Sequence, residues 1–201
     1  MNETRITKTF DLSVPILSAG MAFVTRPELA AAVCNAGGMG FAAAEMSPPQ
    51  EVAELIRATR SLTPRPFGIE CMSPYFTKWR LDVCIADPVA VVTFLWGNPE
   101  REWIERLQDA GSQVWVKVSS LDEARRVAGE DIDALIVEAP EGGPEYVGSR
   151  LIKLLADVVE AVDVPVIASA STVDGPGLLT ALMLGGGPLR NPLPFRRGSK
   201  R

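Results

Sequence analysis

Ser18-Ala19-Gly20-Met21 stands directly after the apolar run 14–17. Small side chains where a strand ends let a flat ligand or a phosphate approach the backbone closely. The same residues would serve plain helix–sheet packing equally well. Glu70, Glu138, Glu141 and Glu145 lie within or just after apolar runs. Carboxylates gathered at one mouth would suit a hard cation such as Mg²⁺. Ser169 and Ser171 follow the run 164–168 and offer hydroxyl donors. The chain has no histidine. The commonest proton-transfer side chain near neutral pH is therefore missing, and Ser-His triads and histidine metal sites are excluded. Cys34, Cys71 and Cys84 are far apart, odd in number and lack metal-ligand spacing. They read as free thiols in a reducing cytoplasm.

The elements that must position these groups alternate along the chain. Apolar, β-branched runs predict strands over 14–18, 39–42, 66–71, 89–94, 113–118, 134–137 and 164–168. Helical patterns fall between them at 27–35, 48–61, 100–110, 120–129 and 150–162, with a further one at 178–184. The connection 72–87 has no clear period. Ser120-Leu121-Asp122-Glu123 has the spacing of a capping box. Almost wholly apolar strands alternating with helices predict a parallel α/β sheet covered on both faces. Seven strands fit a doubly wound sheet, whereas a closed (β/α)8 barrel needs eight.

At 201 residues and 47 % hydrophobic content the chain can bury one substantial domain. A formal charge of -5 gives no general attraction to nucleic acid or anionic membrane. No apolar run is long enough to span a bilayer, and the first twenty residues lack a signal-peptide core. The segment 185–201 carries five basic residues, no acidic one and three prolines. It reads as a disordered tail, either a solvated terminus or the product of a shifted frame. A basic arm for an acidic partner is the other reading.

The order of segments resembles the nitronate monooxygenase (2-nitropropane dioxygenase) family. TRPELAAAVCNAGGMG, starting at Thr25, is the strongest match. PFGIECM from Pro66, VVTFLWGNP from Val91 and VWVKVSSLDEA from Val114 resemble the family's third, fourth and fifth strands. VEAPEGGPEYVG from Val137 sits where the family has a Gly-Gly-His loop, and VPVIASASTVDG from Val164 resembles its seventh strand and phosphate loop. The resemblance implies an FMN-dependent (β/α)8 barrel over residues 1–184. The barrel is expected to be incomplete: about seven strands, no eighth, and an open edge between the seventh and the first.

The resemblance further implies that Ala19, Gly20 and Met21 line the flavin ring and that Lys117 lies near it. Bland alternatives are core packing for Met21 and a strand-end lysine reaching for solvent. Glu70 stands where relatives carry an amide that hydrogen-bonds the flavin, and Glu138 is shared with flavin-binding relatives. Ser169, Ala170 and Ser171 occupy the phosphate end, where the family has paired glycines. Glu145 takes the place of the family's histidine base, which it could replace only with a pKa raised by burial; otherwise it is a solvated loop carboxylate. Leu95 stands where many relatives have another histidine.

The implied activity is oxidation of small nitronates or nitroalkanes with oxygen, giving a carbonyl compound and nitrite. Without histidine, a substrate that is already a nitronate is the easier one. The alternatives are an impaired barrel acting through another chain, a flavin-dependent enoyl reductase, and a metal-dependent barrel. A cytoplasmic location and self-association complete the expectation.

Overall fold

The computed structural model describes residues 3–22, 24–44, 47–138, 147–169, 182 and 189–191. Helix α1 (Arg5–Thr9) precedes strand β1 (Ile16–Ser18). Then follow α2 (Pro27–Asn35), β2 (Phe41–Ala43), α3 (Pro49–Leu62) and β3 (Gly68–Met72). A 3₁₀ turn (Ser73–Tyr75) leads to α4 (Lys78–Ala86), β4 (Val91–Leu95), α5 (Arg101–Asp109), β5 (Gln113–Val118) and α6 (Leu121–Ala128). The last elements are β6 (Ala134–Glu138), α7 (Val147–Ala161), β7 (Val166–Ser169) and β8 (Leu189–Asn191).

Local chemistry sets the helix ends. Proline occupies the first turn of both α2 and α3, where its missing N–H costs no hydrogen bond. The Ser120 hydroxyl accepts from the Glu123 N–H at 3.2 Å. The Glu123 carboxylate accepts from the Ser119 N–H at 2.8 Å, so the predicted cap forms with its return bond one residue earlier. In the unassigned connection, Thr77 caps α4 by accepting from the Arg80 N–H.

All the strand pairs are parallel, in the order β1-β8-β7-β6-β5-β4-β3-β2. A parallel bridge between Leu17 and Met39 joins β1 to the approach of β2. The Ser18 N–H donates to Met39 O at 3.0 Å, and the Met39 N–H donates to Ile16 O at 3.1 Å. The sheet is therefore an α/β barrel of the (β/α)8 kind, as expected.

Its eighth place differs from the expectation. The sequence pointed to no strand there and to an open edge. Instead β8 pairs Leu189 with both Ile16 and Ala168, and Arg190 with both Leu17 and Ser169. Three residues suffice because β1 and β7 are themselves short. Leu189–Asn191, which form this strand, fall within the segment 185–201 that was expected to be disordered. The rest of that segment, and all of the predicted helix 178–184 except Leu182, lie outside the described residues.

Strand alternation produces two cores. Outward side chains such as Ile69, Cys71, Val92, Phe94, Val116 and Leu135 pack under the helices. Inward ones, including Leu17, Phe41, Val91, Trp115, Ile136 and Ile167, fill the barrel with Ile6 of α1. Trp115 meets Phe41 at a centroid distance of 5.6 Å and Phe10 edge-on at 6.0 Å. Gly40 lets α2 press on the sheet: a Cβ there would lie 2.0 Å from Ala30 O.

All three cysteines are buried and none forms a disulfide. Burial pushes the Cys84 thiol up to about 12 and raises Cys34 as well. The native protein should resist a disulfide reagent on which the unfolded chain reacts at all three thiols. The folded pKa lies above the unfolded value of 9.0. Stability is thus retained below pH 9 and lost as pH rises toward 12, by about 1.4 kcal/mol per pH unit for Cys84. Denaturant midpoints measured across that range should fall for the wild type and fall less steeply for Cys84→Ala.

Candidate functional site

The same alternation aims a set of polar side chains at the C-terminal ends of the strands. On β3 it is Glu70, on β4 Thr93, on β5 Lys117, on β6 Glu138 and on β7 Ser169. Nearer the N-terminal ends, inward positions such as Phe41, Val91 and Ala134 are apolar and filled. Polar chemistry is therefore available at one mouth.

The β1–α2 turn reaches this mouth first. Ala19 is buried and Gly20 lies against β3. A Cβ on Gly20 would stand 2.6 Å from the Glu70 Cβ, closer than side chains pack. Thr25, 2 % exposed, holds the turn from inside. Its hydroxyl donates to Ala19 O at 3.1 Å and accepts from the Met21 N–H at 3.0 Å. Thr25 also takes the Ala43 N–H on its carbonyl, tying the turn to β2. Sequence reasoning overlooked Thr25; its place two residues before the Pro27 helix start was the available signal. From α4, buried Arg80 donates to Ser47 O and anchors the β2–α3 connection.

Across the mouth, Lys117 Nζ donates to Glu138 Oε1 at 3.2 Å. The Ser169 hydroxyl donates to the same oxygen at 3.2 Å. Lys117 is only 17 % exposed in its side chain, against 42 % for Glu138. The lysine therefore does not reach away into solvent; a carboxylate holds its ammonium at the rim. Glu70 is buried at 2 % exposure, and its backbone carbonyl accepts from the Ala44 N–H. On the neighbouring strand Thr93 pairs in register with Glu70. Thr93 Oγ1 is buried and has no hydrogen-bond partner among the described residues. Leu95 ends β4 as a buried apolar residue.

The structure thus brings Ala19, Gly20, Glu70, Lys117, Glu138 and Ser169 to one end of the barrel, with Met21 in the same turn. Glu145, Ala170 and Ser171 lie outside the described residues, as does Glu141. Among the described residues no group of three His, Cys, Asp or Glu side chains converges on a metal position.

A planar flavin suits several of these features. Lys117 gives a fixed cation and Thr93 an unsatisfied hydroxyl facing inward, while Gly20 seats its turn directly against Glu70. Glu70 departs from the expected amide, because an ionised carboxylate can accept but not donate.

Fold and mouth together define a parallel β/α barrel that presents its chemistry at the carboxyl ends of its strands, as barrel enzymes do. The nitronate monooxygenase family model matches residues 3–78 and 72–187. The chain belongs to that family. A curated relative from Rhodococcus jostii, a (3aS,4S,5R,7aS)-5-hydroxy-7a-methyl-1-oxo-octahydro-1H-indene-4-carboxyl-CoA dehydrogenase, is 34 % identical over 183 residues. That match covers 90 % of this chain and 52 % of the relative, so the chain spans about half the relative's length. Nitroalkane oxidase from Streptomyces ansochromogenes superposes with a TM-score of 0.82 at 31 % identity, covering 92 % of this chain and 66 % of that one. FabK from Thermotoga maritima superposes with a TM-score of 0.84 at 32 % identity, covering 96 % and 62 %. Among the described residues no helix is long and apolar enough to cross a membrane.

Replacing Gly20 with alanine forces Glu70 and the turn apart. Overpacking of this kind costs about 1–3 kcal/mol. The melting temperature of Gly20→Ala should fall by several degrees; an unchanged value would show that the turn yields freely.

Proposed function

We propose that this chain is the cofactor-binding barrel of an FMN-dependent oxidoreductase acting on small nitronates or nitroalkanes with oxygen. The products would be a carbonyl compound and nitrite. The observation that carries the reading is the pairing of Gly20 against Glu70 on one side of the mouth with Lys117 held by Glu138 on the other. The bound flavin would supply the redox step between nitronate and oxygen.

The protein's own groups would bind and orient. Gly20 lets the β1–α2 turn pack directly against Glu70 at the mouth. Lys117 offers a fixed positive charge to an anionic substrate or to charge developing on the ring, an arrangement that needs no reorganisation during reaction. Glu138 and Ser169 hold that ammonium in place, and Thr93 supplies a free hydroxyl. Ser169 would begin the phosphate end, continued by Ala170 and Ser171. Glu145 is the proposed base. With no histidine in the chain, its role matters least when the substrate arrives as a nitronate. We place the protein in the cytoplasm, where its three thiols stay reduced, and include self-association in the reading.

A second reading is favoured by the same lack of histidine: a catalytically impaired barrel that works only in association with another chain. Purified protein separates the two. The first expects a yellow preparation that retains or takes up FMN and is reduced anaerobically by a nitronate. The second expects a colourless one that FMN does not reconstitute. Lys117→Ala should slow flavin reduction by nitronate about 100-fold, the scale for losing one preorganised charge-stabilising donor. Its folding stability should change by under about 1 kcal/mol, because the pair it leaves is partly solvated. Unchanged reduction kinetics would remove Lys117 from the mechanism.

A further inference from the structure

The β4–α5 connection has a feature that neither the fold nor the flavin reading uses. Trp96, the residue after β4, has φ +57° and is 68 % exposed. Among the described residues the other non-glycine positions at positive φ are Asp11 and Asp131, of a type that tolerates this conformation. A bulky aromatic there is a true outlier, and such strain collects where a side chain is used. The connection is held in shape. Gly97 follows at φ +117°, and its carbonyl accepts from the Ser73 hydroxyl at 2.8 Å, tying it to the β3–α4 connection. Asn98 Oδ1 is shielded from solvent and has no hydrogen-bond partner among the described residues.

Register fixes where Trp96 stands. Phe94 pairs with Val116, so one step further Leu95 lies beside Lys117. Adjacent strands are about 4.8 Å apart. Trp96 is thus the next residue along, one step past the Lys117 backbone level, directly after buried Leu95. An anionic head drawn to Lys117 would extend its tail over an apolar step and reach an indole face.

We propose that Trp96 is a specificity-determining residue that selects substrates bearing an apolar ring two or three bonds from their anionic group. This rests on the flavin-dependent reading above. The indole contacts the tail by stacking and edge contacts, and has no part in the chemistry. Tryptophan at position 96 carries a conformational cost that glycine would relieve.

That cost gives a test a structural role would fail. Holoprotein is titrated anaerobically with propionate and with phenylpropionate, unreactive carboxylate mimics of a small and a ring-bearing nitronate. Binding is read from the flavin absorbance. Wild type should prefer phenylpropionate. In Trp96→Gly that preference should fall about tenfold, the scale of losing one good apolar contact. Propionate affinity should hold within about twofold, and the melting temperature should stay level or rise. Trp96→Phe should keep most of the preference. If Trp96→Gly fails to fold or melts lower, tryptophan is structural and the proposal falls. It falls too if wild type binds both ligands alike or neither, or if both affinities drop together. A wild type that takes up no FMN overturns the flavin reading itself, and this inference with it, a result the flavin content shows before any ligand is added.

Discussion

Ring closure is the constraint on which the rest depends. An unpaired strand edge leaves a row of N–H and C=O groups in need of partners, and closing the parallel sheet into a ring supplies them from within the chain. Here β1 is satisfied on one side by the Leu17–Met39 bridge and on the other by Leu189–Asn191. The same three residues pair with β7. Those bonds hold the Ala19-Gly20 turn and Ser169 at one mouth, although about 150 residues of chain separate them in the sequence. A short strand is enough for this purpose: it fixes register, and register fixes which side chains face inward.

Closure alone does not say which end carries chemistry. The filling of the barrel decides that. Trp115, Phe41, Met39 and Ile167 occupy the interior, and α1 brings Ile6 and Phe10 against them. No buried charge could be afforded there without a partner. Inward polar residues are accordingly displaced toward the opposite end, where Glu138 keeps 42 % of its side chain in water. The same division explains why Trp115, one turn of the alternation before Lys117, is fully buried while the lysine reaches a carboxylate. Two residues along one strand separate core from site.

Much of the fold was legible because period and apolar content carry it. The strand Gln113–Val118 and the helix Pro27–Asn35 match the sequence reading residue for residue. Helix α4 was hidden because its pattern is blurred: Arg80 is buried on it, while Trp79 is 70 % exposed. Helix α1 is five residues long, too short for a period to show. β8 was hidden by composition, since a basic, proline-rich segment gives no strand signal and only its neighbours' open edges recruit it. At the site, residue types came through resemblance. The Lys117–Glu138–Ser169 arrangement could not, because it depends on pairing Lys117 with Ile136 and Glu138 with Ser169 in three-dimensional register. Thr25 was missed for a related reason: its two hydrogen bonds are made within a turn whose shape the sequence does not print.

The electrostatic consequence of that register concerns how an anion could enter a mouth that already holds two carboxylates. Glu138 shares Lys117 with solvent, and ion pairs this wet are worth about 0–1 kcal/mol. The pair therefore orients the ammonium without locking it. An arriving anion needs only to displace a weak partner, and Glu138 then keeps the Ser169 hydroxyl and the surrounding water. A fully buried pair would have been a different device, since withdrawing one member from a dry ion pair costs several kcal/mol. Partial solvation of Glu138 is what lets the same lysine be both positioned beforehand and available afterward.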